Sequence, residues 1–190
     1  VWFVRRASAL ALLATVGLGA CGVGAVSEIV PEDESRFDAR LLGAWVTEDG
    51  RESATITGDS ASGYEILYRD TDGKENPLEA RLGTIGGFAV LDVRPAEVTL
   101  AQGDIYTSLL LRLHAPLVID SVGRILRFRL LESDSLEQFL EREPGAVPHT
   151  LIEHEVVLTA RTPELRRFLA AFLRRPGVLG EPATWMRPDP

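Results

Sequence analysis

Apolar and polar positions divide the chain into two regimes. Residues 7–20 form one uncharged, largely apolar run behind Arg5 and Arg6, and from Leu41 onward short apolar segments alternate with turn residues. The second regime has the period of two expected of half-buried strands. Leu41–Thr47 is followed by Glu48-Asp49-Gly50, and Ala54–Thr57 by Gly58-Asp59-Ser60. Tyr64, Ile66 and Tyr68 alternate with Glu65, Leu67 and Arg69, ending at Asp70-Thr71-Asp72-Gly73-Lys74. That ending is a hairpin signal in which glycine supplies a positive φ. Leu78–Ile85 alternates again, and Gly86-Gly87 turns the chain into Phe88–Val93. A looser stretch, 95–106, leads to an apolar run over Leu109–Ile119 broken by Arg112, His114 and Pro116. Val122-Gly123-Arg124 is a further turn, after which Ile125–Leu131 alternates once more.

Two segments change to helical spacing. Leu136, Phe139 and Leu140 fall at i, i+3 and i+4 behind Asp134, with Glu137 at capping-box distance, and Pro144-Gly145 stops the run. The second helix spans 162–175, with Thr162 expected as N-cap and Pro163 at the first helical position. Leu165, Phe168, Leu169, Phe172 and Leu173 form its apolar stripe, opposite Arg166, Arg167, Arg174 and Arg175. His149–Ala160, between the helices, reads as one more strand or a tight hairpin, and 177–190, with three prolines, as an irregular tail. About eight strands spaced 8–12 residues apart predict an antiparallel meander, either a barrel or a strongly curved sheet, with two accessory helices.

The first regime has the order of a secretory signal: a positive start, then a short apolar run. The run is shorter than the roughly 20 residues a membrane-spanning helix needs. It ends Leu18-Gly19-Ala20-Cys21, which resembles the bacterial lipobox. The resemblance implies cleavage after residue 20, a diacylglycerol on the Cys21 thiol, and membrane attachment through that lipid. Cys21 is the only cysteine, so no disulfide competes for it. Two or three acyl chains hold a protein stably where one does not. Arg5-Arg6 is followed by Ala-Ser-Ala-Leu, which does not resemble the remainder of a twin-arginine motif. Position 22 is glycine and not aspartate, so nothing resembles an inner-membrane retention signal. The expected location is the cell envelope, at an outer membrane facing the periplasm where the organism has one.

Residues 21–36, small and acidic (Pro31-Glu-Asp-Glu-Ser35), carry no sustained period and are expected to be the lipidated cysteine and a flexible tether. The β domain is expected over 37–176. At its start, Leu42-Gly43-Ala44-Trp45 resembles the Gly-x-Trp element of lipocalin-like and related calycin barrels. The resemblance implies that Trp45 packs across one barrel end, that Gly43 permits close approach there, and that helix 162–175 packs on the barrel. The same opening is similar to that of many bacterial lipoproteins.

Charge narrows the partners. Without residues 1–20 the chain has 170 residues, and losing Arg5 and Arg6 takes Lys and Arg from 20 to 18 against 28 Asp and Glu, a net of −10. That balance disfavours nucleic acid and a broad face lying on anionic lipid.

The candidate chemistry is sparse. His114, inside an apolar run, is expected as a hydrogen-bonded core or strand-edge histidine. His149 and His154, with Glu153 and Glu155, point to opposite faces of a strand, so no metal site is expected unless a turn separates them. Ser108 or Ser121 near His114 lacks a nucleophile-elbow motif. Asp70 and Asp72 flank a hairpin glycine, and Gly83–Gly87 precedes a strand, not a phosphate-binding helix. Tyr64, Tyr68 and Phe88 are expected as core or cross-strand partners. No catalytic residue and no cofactor are expected, and no binding residues are assigned. The function expected is a non-enzymatic binding module for a small apolar or amphipathic ligand held in a barrel mouth. The alternative is an envelope interaction or assembly factor without a ligand cavity.

Overall fold

A computed structural model describes residues 23–96, 112–152 and 155–188. Its centre is a closed antiparallel barrel of eight strands. Seven follow in chain order: β2 (Gly43–Thr47), β3 (Ser53–Asp59), β4 (Gly63–Arg69), β5 (Glu75–Ile85), β6 (Phe88–Pro95), β7 (Ala115–Ser121) and β8 (Ile125–Leu130). The eighth, β11 (Ala183–Met186), comes from the C-terminal segment and pairs with both β8 and β2. The expected irregular tail is therefore corrected: it closes the barrel. Four residues suffice because Trp185 on this strand is buried inside.

Strand alternation sets the inner wall. Trp45 faces Ala54, Ala54 faces Tyr68, Ile66 faces Leu78, Leu82 faces Leu91, and Leu126 faces Trp185 across successive pairs. These residues form one continuous core with Ile56, Tyr64, Val93 and Phe128. In so small a barrel the side chains themselves fill the interior.

A second core lies outside the barrel. Helix α1 (Ser133–Arg142), helix α2 (Thr162–Phe172) and a separate sheet pack over Ile85, Val90 and Val118 on the outer faces of β5, β6 and β7. The sheet holds β1 (Gly24–Ala25), β10 (Glu155–Leu158) and β9 (His149–Ile152), in that order. His149–Ala160 thus contains a hairpin, and it stands apart from the barrel. The stripe of α2 buries Leu165, Leu169 and Phe172, with Leu173 just beyond, as its spacing requires. The caps differ from expectation. Neither helix has a side-chain cap: Glu132 precedes α1, Arg161 precedes α2, and the Thr162 hydroxyl instead donates to the Glu28 carbonyl (2.8 Å).

The largest correction concerns the expected flexible tether. Its described part, 23–36, is packed: Val23, Ala25, Ile29 and Val30 are buried. Gly24 and Ala25 run parallel to Val157 and Leu158, Ala25 exchanges both backbone bonds with His114 (2.8 Å each), and the Arg36 N–H meets the Leu82 carbonyl (2.8 Å). Gly83 makes room for this segment, because a Cβ there would stand 2.7 Å from a Val30 methyl. The composition that suggested a tether left Ile29 and Val30 as its only large apolar pair, and these two anchor it.

Candidate functional site

One end of the barrel is sealed. Trp45, 1 % exposed, donates its indole N–H to the Leu41 carbonyl (2.8 Å), and the Arg187 guanidinium lies 4.2 Å above its ring. Arg187 in turn donates to the carbonyls of Leu42 and Arg40 (both 2.8 Å). Gly43 is required here: its φ is +107°, and a Cβ would fall 2.5 Å from an Arg187 nitrogen. Phe37 stacks on Tyr64 (5.1 Å between centroids), whose hydroxyl accepts from the Asp38 N–H (2.6 Å). The lead-in, Trp45 and Arg187 together form a plug.

At the opposite end, where β2 turns into β3 and β4 into β5, Trp185 stacks on Tyr68 (6.1 Å between centroids) and lies edge-on to Phe128 (5.8 Å). Tyr68, Leu78 and Leu117 are inward-facing and only partly buried. Glu52, one residue ahead of β3, is buried and in phase with the inward-facing Ala54 and Ile56. Burial first, and then the neighbouring Glu52 carboxylate, hold the Tyr68 phenol well above the ordinary tyrosine range. Among the described residues this end thus combines an aromatic cluster and partly buried apolar side chains with a buried acid that accepts from the Tyr68 hydroxyl.

A second polar constellation lies on the outer face of β6. Asp92, 4 % exposed, accepts from the backbone N–H groups of Ile29 (2.8 Å) and Val30 (3.0 Å) and from His114 Nδ1 (2.9 Å). An ionised carboxylate only accepts, so the Asp92 bond requires the His114 proton on Nδ1. This is the hydrogen-bonded histidine expected at 114, and its work is structural: it helps clamp the N-terminal segment onto the barrel. Ser121, at the far end of β7, is seven residues from His114, roughly 23 Å along a strand. Ser108 lies outside the described residues.

The remaining candidates resolve simply. Asp70 accepts from the N–H groups of Asp72 and Lys74 (3.0 and 2.9 Å), the turn role expected of it. Those bonds, the Lys74 N–H first, hold its carboxyl below the usual range. Cys21, Glu153 and His154 lie outside the described residues; His149 Nδ1 meets the Val147 carbonyl (2.9 Å). Among the described residues no cluster of His, Cys, Asp and Glu has the makings of a metal site. The arginines of α2 are not a uniform solvated face. Arg166 donates to the Ile29 carbonyl (2.7 Å) and pairs with Glu34, Arg174 reaches the Gly86 carbonyl (3.3 Å), and Arg175 lies 4.2 Å over Phe139. A shallow groove of about 430 Å³ beside Arg166 and Arg167 separates α2 from the 3-10 turn Glu32–Glu34.

Glu52 and Asp92 escaped the sequence reading because each is one acid among many. The available signal was position: each shares strand parity with buried apolar neighbours, Glu52 with Ala54 and Ile56, Asp92 with Val90. Comparison of the chain with known protein families, with curated protein sequences and with solved structures finds no match.

Proposed function

We propose that this chain is a lipid-anchored protein of a bacterial cell envelope, attached through Cys21. In this reading its barrel is a non-enzymatic binding module for a small apolar or amphipathic ligand. The lipobox-like Leu18–Cys21 supports the anchor. The observation that carries the binding reading is the unsealed side-chain group at one barrel end: partly buried Tyr68, Leu78 and Leu117 around Trp185, opposite a plugged end. Binding sites are typically apolar walls with few placed polar groups, and Glu52 is such a group. The occupant would sit at the rim, because the side chains deeper in the barrel already touch. An outer-membrane position facing the periplasm follows where the organism has such a membrane.

Titration with 1-N-phenylnaphthylamine, an apolar fluorophore, tests the binding reading. Saturable binding, with quenching of Trp185 and loss on Leu78→Arg, is expected. Non-saturable binding that ignores Leu78→Arg refutes it. The second reading, an interaction or assembly factor with no internal ligand, is favoured by one observation: Ile66, the most exposed buried side chain of the barrel core, is only 8 % exposed. It gains if the titration fails and native mass spectrometry of the membrane-extracted protein shows no co-purified small molecule.

A further inference from the structure

We infer that Leu151 and Ile152, at the end of β9, insert into the lipid surface beside the anchor, so that the domain is held on the membrane and not suspended above it. The inference rests on the reading that Cys21 is acylated. Only residue 22 stands between Cys21 and Val23, which is buried at 3 % exposure. Two residues of chain reach at most about 7 Å, so the acylated residue stays next to the folded surface. β1 runs parallel to β10 with Gly24 beside Val157, so the chain preceding Gly24 points toward the Glu155 end of β10. That end turns into β9, where Ile152 pairs with Glu155 and Leu151 with Val156. Two strand spacings are roughly 10 Å, so β9 ends close to the origin of the lipid.

Leu151 and Ile152, at 56 % and 49 %, are the most exposed large hydrophobic residues among those described. They sit on an edge strand whose one described partner is β10. Exposed apolar residues on a sheet edge invite pairing with another chain unless something covers them. An interface within a few residues of the anchor supplies the cover, and interfacial insertion of apolar side chains adds to acyl anchoring. The clamp makes the contact specific. With Ile29 and Val30 held by Asp92, and Arg166 holding the Ile29 carbonyl, the barrel cannot rotate freely about the anchor.

The test uses the full chain extracted from membranes in detergent and reconstituted into vesicles of phosphatidylethanolamine and phosphatidylglycerol. Ile152→Cys carries an environment-sensitive nitrobenzoxadiazole label, since acylation blocks the Cys21 thiol. Ala61→Cys, in the exposed β3–β4 turn, carries the same label as a reference. On floated vesicles the label at 152 is expected to shift to shorter wavelength and to be quenched by lipid-borne spin labels, while the label at 61 is unchanged. Leu151→Ser/Ile152→Ser is expected to leave flotation intact and to raise amide exchange across β9. Flotation with the 152 label still in water overturns the inference and leaves the anchor standing. Failure of the unsubstituted chain to float overturns both.

Discussion

Asp92→Ala should be among the most damaging single substitutions in this protein, although position 92 has no role in the barrel interior. The carboxylate takes two backbone donors, the Ile29 and Val30 N–H groups at 2.8 and 3.0 Å, and both residues are fully buried at 0 % exposure. Alanine leaves both donors without a partner and without water. An orphaned buried donor costs about 1–3 kcal/mol, so the pair sets an expected loss of ~2–6 kcal/mol. His114 adds little, because its imidazole can move the proton to its other nitrogen. Asp92→Asn separates charge from geometry. Both N–H groups converge on one carboxylate oxygen, so an amide carbonyl in that place still accepts both, and the amide nitrogen donates to His114 Nδ1. The expected cost is about 1 kcal/mol, the net value of an ordinary hydrogen bond. Urea unfolding gives both values, and amide exchange followed by mass spectrometry should show 23–36 deprotected before the barrel in the alanine variant. A loss below about 1 kcal/mol for Asp92→Ala, the range of surface sites, would refute the clamp. So would equal losses for Ala and Asn, since the two N–H groups would then not be the cause.

Trp45→Ala is expected to cost ~3–5 kcal/mol, the range for a buried aromatic, and to free the Arg187 guanidinium; urea unfolding measures the loss. Arg166→Gln should cost about 1–3 kcal/mol, as for a charged hydrogen bond with a mostly buried partner, while the exposed Arg167→Gln stays within about 0.5 kcal/mol. Comparing the two unfolding midpoints checks whether α2 holds the N-terminal segment through Arg166. Tyr64, chiefly by burial, and Tyr68, by burial and then Glu52, have their phenols raised above the ordinary value. A raised folded-state value favours the neutral form. The stability it lends is therefore complete below the unfolded value of about 10 and lost as pH rises beyond it. Absorbance at 295 nm should show at most one of the three tyrosines ionising before the alkaline unfolding transition.

The barrel was legible where one strand face meets water. β4 alternates buried Tyr64 and Ile66 with exposed Glu65 and Leu67, and its sequence bounds and structural bounds agree at Arg69. β6 was legible as a strand but not for what covers it. Val90, Leu91, Asp92 and Val93 are all buried, because one face lines the barrel and the other lies under the N-terminal segment and α2. A strand covered on both sides loses the alternation that reveals orientation. β11 was hidden for a different reason. Ala183–Met186 is too short for periodicity, and proline flanks it at 182 and 188, so only the need to close the barrel between β8 and β2 identifies it.

The order of the N-terminal segment leaves little trace in its own sequence because it comes from outside it. Small and acidic residues with no period cannot fold by themselves, and residues 23–36 gain structure only from partners far along the chain: His114, Val157, Arg166 and, above all, Asp92. Such pairing over more than sixty residues leaves no local trace. It does leave a compensating one, a lone aspartate at a position whose strand neighbours on the same face are apolar. An acid on a covered face must find donors, and backbone N–H groups of a crossing segment are the donors a carboxylate can take without a countercharge. Read in this way, Asp92 announces that an irregular segment crosses β6. Glu52 makes a parallel announcement at the other end of the barrel interior, where its donor is a tyrosine instead of a backbone. The clamp thus accounts for an acid whose donors are protein groups. Glu52 follows the same rule with a side-chain donor, the Tyr68 hydroxyl, so both buried acids mark places where the chain must bring a donor to a covered strand face.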